Sequence, residues 1–218
     1  MEPVCDLIVP CRNEAAALDD LLPAVPASFA AIVVDNASTD GTADVARRLG
    51  ARVVTEQVPG YGAAVHAGLV AATRDNVAFM DGDGSFDPHE LEALLDDVRS
   101  GRADLAVGRR RPVARGVWPW HARAGNRLVV AVLRRRGFPA NDIAPIRVCR
   151  RPDLLALHVE DLRFGYPVEL MQKATRAGWR ISERDVSYHP RAPGTRSKVS
   201  GSVRGTVRTA RDFWRVLS

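Results

Sequence analysis

The chain has 218 residues, of which 46% are hydrophobic and 26% are charged, and its formal net charge at pH 7 is +5. This composition excludes a disordered or fibrous chain, and the length suits one domain with a sizeable core. No stretch approaches the roughly 18 apolar residues that span a membrane, the amino terminus shows no secretory signal, and the three cysteines are predicted to be buried free thiols in a reducing cytoplasm.

The amino-terminal half alternates strand and helix signals. Short apolar runs predict strands, and apolar residues at helical spacing predict helices between them. This alternation is typical of an α/β fold with a mostly parallel sheet. The predicted elements are strands at 7–9, 31–34, 53–54, 77–80 and 105–107, and helices over 18–25, over 40–49 with Asp40 as the N-cap, over 62–73 and over 91–98.

After Gly108 the alternation weakens. The sequence predicts a helix over 120–136, a helix over 167–177 and a strand over 181–188. We assign residues 1–200 to one domain and residues 201–218 to a basic amphipathic helix.

Polar clusters follow three of the predicted strands. These are Arg12-Asn13-Glu14, Asp35-Asn36 and Asp81-Gly82-Asp83. In open α/β sheets, ligands bind outside the carboxyl ends of the strands. The sequence therefore predicts a binding site at that edge of the sheet.

Charge is divided unevenly along the chain. Residues 1–100 carry 6 basic and 17 acidic side chains, whereas residues 101–218 carry 25 basic and 9 acidic ones. An acidic half can hold a cation and a basic half can hold phosphates. A nucleic-acid-binding protein can also be basic at one end, but the tryptophans here are too scattered for a stacking platform, so we expect no nucleic-acid partner.

The Asp81-Gly82-Asp83 segment is the strongest chemical signal. Two carboxylates separated by glycine after a strand can both point at one hard cation, Mg²⁺ or Mn²⁺, which would neutralise charge on a departing diphosphate. An EF-hand is disfavoured because Phe86 stands where that loop requires glycine. A plain surface turn rich in Asp and Gly stays open as the alternative.

Three motifs carry a resemblance to a known family. In order and spacing, the segments at 8–14, 34–42 and 81–83 resemble the family 2 glycosyltransferases of GT-A fold. Later residues, Glu169, Gly178 and the segment 188–198, resemble the polyprenyl-phosphate (dolichol-phosphate) mannosyl- and glucosyltransferase branch. The resemblance runs from Val4 to Lys198. It implies an inverting, metal-dependent enzyme that transfers a hexose from UDP-glucose or GDP-mannose to a polyprenyl phosphate at the cytosolic face of a membrane.

The resemblance also implies roles for individual residues around the donor. Glu14 would accept from ribose hydroxyls, Asp35 would contact the base, and Asp83 would ligate the metal. Family members often carry Gln two residues after that second Asp, where Ser85 stands here, so Asp87 or water is the candidate for the third ligand. The nucleotide-sugar site would comprise Pro10, Asn13, Glu14, Asp35, Asp81 and Gly82, with Asp81 at the ribose or the metal.

The same resemblance places cations around the two phosphates. Donor diphosphate and acceptor phosphate are both anions, so Arg and Lys are needed to hold them close together. Each of these residues could instead be a solvated surface charge. The implied phosphate-binding and acceptor-binding residues are Arg110, Arg123, Arg191, Ser197 and Lys198.

The mechanism depends on the acceptor. A monophosphate is already anionic at neutral pH and needs placement in line with the anomeric carbon rather than a strong base. If the acceptor is a hydroxyl, Asp142 or Glu169 would be the general base. Glu169 could equally be a helix cap or a salt-bridge residue. A soluble hydroxyl acceptor and a catalytically silent scaffold subunit remain the alternatives, and the oligomeric state, including a homodimer, is left open.

The carboxyl-terminal residues form two helical stripes. Val203, Val207, Ala210, Trp214 and Leu217 make an apolar stripe beside a stripe of arginines. A basic amphipathic helix of this kind is typical of membrane-surface binding, and the segment at 118–120 could add a second contact. The alternative is that the helix packs on its own domain.

Overall fold

The computed structural model describes residues 2–139, 141–195, 211–213, 215 and 216. Within these residues, seven strands form one sheet in the order β3-β2-β1-β4-β6-β5-β7. All neighbouring strands run parallel except β6, which is antiparallel to both β4 and β5. The predicted α/β class with a mostly parallel sheet is therefore confirmed. The strands are β1 Cys5–Cys11, β2 Phe29–Asp35, β3 Arg52–Thr55, β4 Asn76–Phe79, β5 Leu105–Pro112, β6 Ile146–Arg150 and β7 Ile181–Tyr188.

The predicted helices form in the expected places, with boundaries that differ by a few residues. The helix predicted to reach Val25 ends at Leu21 and continues as a 3₁₀ turn over Leu22–Ala24, because Pro23 has no N–H to extend the ladder. The helices are α1 Ala15–Leu21, α2 Thr42–Arg48, α3 Tyr61–Ala71, α4 Leu91–Arg99, α5 Trp120–Arg135, α6 Arg151–Ala156 and α7 Tyr166–Arg176.

The predicted N-cap at Asp40 is wrong by one residue. The N-cap of α2 is Gly41, whose φ of 80° is a left-handed conformation that glycine adopts at little cost. The Asp40 carboxylate still serves the helix start, because it accepts hydrogen bonds from the backbone N–H of Thr42 and of Ala15, each at 3.1 Å.

Side chains alternate across the sheet and create a core on each face. Ile8, Ile32 and Val34 face the core that α3, α5 and α7 cover. Leu7 and Val33 face the core that α1, α2 and α4 cover. The three cysteines are buried and free, as predicted: Cys5, Cys11 and Cys149.

The strand ends that are followed by polar residues lie together along one edge of the sheet. The parallel strands finish there, and β6 begins there because it runs in the opposite direction. The register pairs Phe79 of β4 with Arg147 of β6 and pairs Arg147 with Val107 of β5. Residues after β4 and residues at the start of β6 therefore meet at the same edge.

The described part of the carboxyl-terminal segment contacts the rest of the chain. Phe213 and Val216 pack against the core beneath α3, α5 and α7, and the Arg215 guanidinium pairs with Asp161 at 2.5 Å. The predicted boundary at residue 200 and most of the predicted helix over 201–218 lie outside the described residues. Among the described helices, none combines the length and the apolar character that crossing a bilayer would need.

Candidate active site

A cleft of about 960 Å³ opens at the edge where the parallel strands end. This volume is in the range that holds ligands the size of a nucleotide sugar. Its walls come from the loops after β1 and β4, from β5, α5 and the start of β6, and from the segment before α7. Tyr188 and Arg191 at the end of β7, together with Asp212 and Phe213, complete the lining.

Asp83 lies in this cleft, in the loop after β4. The residue is 2% exposed, and its Oδ1 accepts from the N–H of Ser85 at 3.0 Å and from its hydroxyl at 2.5 Å. Oδ2 lies 3.1 Å from Nη1 of Arg191. A buried carboxylate with this set of partners is not a solvent-exposed turn residue, so the surface-turn alternative is wrong for Asp83.

Asp81 lines the same cleft and is half-buried. Burial raises its pKa to about 7, the neighbouring charge of Asp83 adds to the rise, and Arg191 opposes it. A cation near both carboxylates would relieve that repulsion. The oxygen donors of the pair therefore fit a hard divalent ion.

The chain supplies few further carboxylates to such an ion. Among the described residues, no three His, Cys, Asp or Glu side chains cluster as a metal site. Asp87, the candidate third ligand, is exposed and caps the 3₁₀ turn Pro88–Glu90 by accepting from the N–H of His89 at 3.0 Å. The Ser85 hydroxyl contacts Asp83. Two carboxylates completed by substrate phosphate and water would be typical of Mg²⁺ or Mn²⁺ in nucleotide sites.

Gly82 allows the loop after β4 to pass close to the loop after β1. A Cβ at this position would collide with Sγ of Cys11 and would lie 3.0 Å from Oε2 of Glu14. Glu14 is buried beside it and lines the cleft together with Pro10. The structure therefore brings Pro10, Glu14 and the aspartate pair together, as the sequence predicted.

Asn13 and Asp35 stabilise the loop after β2 and are not among the cleft-lining residues. Asn13, at a left-handed φ of 55°, accepts from the N–H of Thr39 at 2.7 Å, and its own N–H donates to Ser38 Oγ at 3.0 Å. Asp35 accepts from the N–H of Ser38 at 3.2 Å. Asn36 lines the cleft instead, and its Oδ1 accepts from the N–H of Gly60 at 2.9 Å.

Arg110 lies in the cleft wall, between a carboxylate and an aromatic ring. Its guanidinium carbon is 4.0 Å from the ring centroid of Trp118, and its Nε and Nη2 donate to Asp142 at 2.9 and 2.6 Å. Asp142 is 1% exposed and is not among the residues that line the cleft. A general base must reach the proton it removes. Asp142 instead orients Arg110, so its position does not support the predicted base role.

The other predicted cations differ in position. Arg191 lines the cleft and pairs with Asp83. Arg123 is exposed on α5 and is not among the cleft-lining residues. Ser197 and Lys198 lie outside the described residues, so their predicted role stays a prediction.

Glu169 has the structural role that the sequence left open. Its carboxylate accepts from the N–H groups of Glu160 at 3.0 Å and Asp161 at 2.6 Å and pairs with Lys173 at 2.8 Å. Burial raises the pKa of Glu169, but Lys173 and the two N–H groups together lower it by a larger amount. The net pKa therefore lies below its usual value. Glu169 is not among the cleft-lining residues either.

Sequence reasoning missed two residues at the base of the cleft. Arg147 is 1% exposed and its Nη2 donates to the carbonyl of Ile143 at 3.0 Å. Tyr61 is the first residue of α3, and both residues line the cleft. The signals that could have found them are an arginine inside an apolar strand and a tyrosine between Gly60 and Gly62.

Much of the cleft lining is apolar. This apolar wall is formed by α5, by the segment before β6, by the loop before α7 and by the carboxyl-terminal segment. Trp120, beside this wall, is 80% exposed. The apolar lining comprises Trp118, Pro119, Leu128, Val129, Val132, Ile143, Leu162, Phe164, Pro167 and Phe213.

The chain has sequence relatives among the glycosyltransferases. Residues 6–150 match the family described as Glycosyl transferase family 2. A glycosyltransferase of Mycobacterium tuberculosis strain H37Rv is 54% identical to this chain, and the alignment covers 97% of each of the two chains. The undecaprenyl-phosphate mannosyltransferase of Micrococcus luteus is 32% identical over 91% of this chain and 88% of its own length.

Solved structures share the fold. Glucosyl-3-phosphoglycerate synthase of Mycobacterium tuberculosis, in complex with phosphoglyceric acid, matches with a TM-score of 0.79 at 22% identity, over 99% of this chain and 79% of that one. The same enzyme with Mn²⁺, UDP-glucose and phosphoglyceric acid matches with a TM-score of 0.77 at 23% identity, over 99% and 78%.

Proposed function

Because the chain belongs to glycosyl transferase family 2 and has the GT-A fold, we propose that it is an inverting hexosyltransferase that moves a sugar from a nucleotide-diphosphate donor to a polyprenyl phosphate. The observation that carries the proposal is one cleft whose lining combines Asp81, Asp83 and Arg191 with a long run of apolar side chains.

The donor binds at the end formed by the loops after β1 and β4. Pro10 and Glu14 lie where the nucleoside fits, and Asn13 and Asp35 keep the adjoining loop in place. The proposed donors are UDP-glucose and GDP-mannose. A nucleotide complex of a structural relative, which contains UDP-glucose, supports a donor of this class.

Asp81 and Asp83 would hold Mg²⁺ or Mn²⁺ when the donor is bound. Such an ion supplies charge neutralisation for a leaving diphosphate. The relative crystallised with Mn²⁺ and UDP-glucose supports this assignment. Arg191 keeps Asp83 in place and adds a second positive charge on the same side.

Arg110 and Arg191 would hold the two phosphate groups near each other. The Arg110 guanidinium lies 5.7 Å from the ring centroid of Tyr188, and Tyr188 and Arg191 both line the cleft. Each of the two arginines also has a carboxylate partner, Asp142 or Asp83, which fixes its direction. A guanidinium whose direction is fixed in this way can orient phosphate oxygens with the N–H groups that remain.

The reaction then needs placement more than proton transfer. An acceptor phosphate oxygen attacks the anomeric carbon of the hexose, and the bond from that carbon to the diphosphate breaks. The phosphate carries negative charge at neutral pH, so no side chain has to remove a proton. This agrees with Asp142 and Glu169 being engaged in structural contacts outside the cleft lining.

The acceptor chain would lie along the apolar wall and leave the cleft beside α5. The 32% identical undecaprenyl-phosphate mannosyltransferase supports a lipid-phosphate acceptor. Exposed Trp120 and Leu128 border this exit and would touch the cytosolic face of a membrane. Asp212 and Phe213 line the cleft, so the carboxyl-terminal segment would contribute to the cleft as well as to any membrane contact.

The test is a partition assay. The purified chain is incubated with Mn²⁺, undecaprenyl phosphate in detergent micelles and UDP-glucose or GDP-mannose labelled in the hexose, and the mixture is extracted with butanol. We expect label in the organic phase. Asp83→Asn should abolish the transfer, whereas Asp87→Asn, which changes an exposed acid of the same loop, should retain it.

A small phosphorylated acceptor is the second candidate. Glucosyl-3-phosphoglycerate synthase, crystallised with phosphoglyceric acid, covers 99% of this chain and supports it. In the same assay with phosphoglyceric acid in place of the lipid, a labelled product confined to the aqueous phase would favour this candidate. Label in neither product, with intact donor, would contradict both.

A further inference from the structure

The described part of the carboxyl-terminal segment lies against the loop that precedes α7. The Arg215 guanidinium donates to Oδ2 of Asp161 in that loop at 2.5 Å. Val216 packs beside Gly165 of the same loop, because a Cβ at this glycine would come within 2.7 Å of the Val216 side chain. An ion pair and a close apolar contact therefore join the segment to the loop.

The Asp161 carboxylate is the buried member of this ion pair. Its side chain is 4% exposed, whereas that of Arg215 is 59% exposed. Oδ1 of Asp161 accepts from the N–H of Arg163 at 2.7 Å, and Oδ2 faces the guanidinium. Loss of the cation would leave charge on a buried carboxylate without its ionic partner, which is costly. The pair therefore favours the position of the segment against the loop.

The other side of the loop is fixed to the start of α3. A Cβ at Gly62 would collide with the carbonyl oxygen of Asp161. The N–H of Gly62 donates to the carbonyl of Arg163 at 3.0 Å. The N–H of Ala63 donates to the carbonyl of Leu162 at 2.9 Å. The loop is thus a firm support, and the position of the segment depends on its own contacts with that support.

The loop and the segment each supply apolar side chains to the cleft. Leu162 and Phe164 of the loop line it, and so does Phe213, two residues before Arg215. Phe213 also packs against the core beneath α3, α5 and α7. The Asp161–Arg215 pair therefore joins two neighbouring parts of the apolar wall.

We propose that the Asp161–Arg215 pair holds Phe213 in the cleft as a contact for the hydrocarbon chain of the acceptor, and that Asp161 and Arg215 are positioning residues for that acceptor. This inference rests on the proposed lipid-phosphate acceptor. Asp81 and Asp83 belong to the loop after β4 and do not depend on this pair, so its loss acts on the acceptor rather than on the donor.

Steady-state kinetics of Arg215→Gln test the proposal, with undecaprenyl phosphate in micelles as the varied acceptor and the butanol partition as the readout. We expect the apparent KM for the lipid to rise roughly five- to tenfold, because an apolar contact is lost. The kcat and the KM for the donor should change less than about twofold, as for a contact made equally before and during reaction. Arg215→Lys keeps the cation and should recover part of the loss.

Arg211→Gln is the matched control. Arg211 is an exposed arginine of the same segment, so its variant loses the same charge and should keep the KM of the unaltered chain. Phe213→Ala should raise the lipid KM, and adding Arg215→Gln should raise it no further, because both changes remove the same contact. Increases that multiply in the double variant, or an equal increase in Arg211→Gln, would overturn the proposal.

Amide hydrogen exchange of the free protein tests the ion pair without any substrate. Peptides that cover residues 211–216 should exchange faster in Arg215→Gln than in Arg211→Gln. Equal exchange in the two variants would overturn the positioning role. If the unaltered chain labels no lipid, the proposed function and the lipid contact of Phe213 both fail, and hydrogen exchange still decides the role of the pair. If it labels lipid and Arg215→Gln has an unchanged lipid KM, only this inference fails.

Discussion

Two arginines that line the cleft each pair with a buried carboxylate. Arg191 pairs with Asp83, and Arg110 pairs with Asp142. In each pair the carboxylate fixes the direction of the guanidinium. Arg147 differs, because its Nη2 donates to the carbonyl of Ile143. The cleft therefore presents positive charge in fixed places, as the approach of two phosphates requires.

Arg191 and Arg123 provide a direct comparison of two residues that the sequence places in the same role. Arg191 lines the cleft and contacts Asp83, whereas Arg123 is exposed on α5. We expect Arg191→Ala to lower kcat/KM for hexose transfer on the order of a hundredfold, as for loss of a buried charged partner. Arg123→Ala should change it less than about threefold.

Steady-state kinetics with varied donor and acceptor would measure both effects, with melting temperatures to confirm folding. An equal loss in the two variants would mean that α5 carries Arg123 into the cleft during turnover.

The residue types of the site could be predicted from the sequence, but their partners could not. The spacing of Asp81 and Asp83 after a strand pointed to the metal pair, and Glu14 followed another strand end. On the sequence alone, Asp142 is a candidate base for a hydroxyl acceptor. Its contact with Arg110 joins residues 32 positions apart and depends on the tertiary fold.

Elements with a clear apolar period were predictable, and β6 with α6 were not. Strand β6 has five residues, and the arginines at 147 and 150 interrupt its apolar run. The segment therefore lacks the apolar pattern that predicts a strand. Burial of Arg147 between two neighbouring strands overrides that local pattern. Because β6 runs antiparallel to its neighbours, Arg147 near its start reaches the cleft. The apolar pattern did not predict β6, and the motifs did not predict Arg147 as a residue of the site.

Asp97 near the end of α4 joins that helix to the edge strand β7. Its carboxylate accepts from Arg184 at 2.6 and 2.7 Å and from Arg102 at 2.9 Å. Arg184 is the main reason why the pKa of Asp97 lies well below its usual range, against the opposing effect of burial. As the pH falls below about 4, the unfolded chain takes up this proton before the folded chain does. The stability that Asp97 contributes is therefore present above that pH and is lost in acid.

We expect Asp97→Asn to lower the free energy of unfolding at pH 7 by roughly 2 kcal/mol. The difference from the unaltered chain should shrink as the pH falls below about 4. Urea unfolding at several pH values would measure it, with Asp96→Asn, an exposed neighbour, as the control. A difference that stays constant with pH would show that the Asp97 contacts do not form in solution.

At the scale of the whole molecule, the strand order combines the acidic and basic parts of the chain. Strands β1 to β4 carry Glu14, Asp81 and Asp83 to the shared edge, and β5 to β7 add Arg110 and Arg191. The charge asymmetry along the sequence thus becomes a contrast across one cleft, about 960 Å³ in volume. Composition predicted two halves of opposite charge, and the topology explains how they face each other.

Under the proposed function, the exposed residues Trp120 and Leu128 would contact a lipid surface. Trp120 and Leu128 are exposed beside the cleft, 80% and 65%, and would insert into the headgroup region. We expect the double variant Trp120→Ser, Leu128→Ser to reduce co-sedimentation with vesicles of phosphatidylglycerol and phosphatidylcholine several-fold. Val70→Ser changes an equally exposed apolar residue that does not line the cleft, and it should bind like the unaltered chain. Identical sedimentation of all three proteins would contradict membrane contact through Trp120 and Leu128.

The contact between the start of α3 and residues 161–163 limits how a hybrid of two related proteins could be built. The match to the family ends at residue 150, yet Gly60 and Gly62 fit against backbone that lies beyond it. A hybrid protein joined at Arg150 would combine the donor half of one parent with the acceptor half of another. The two glycines and the loop opposite them would have to come from the same parent. A Cβ at either glycine would collide with the backbone of residues 161–162.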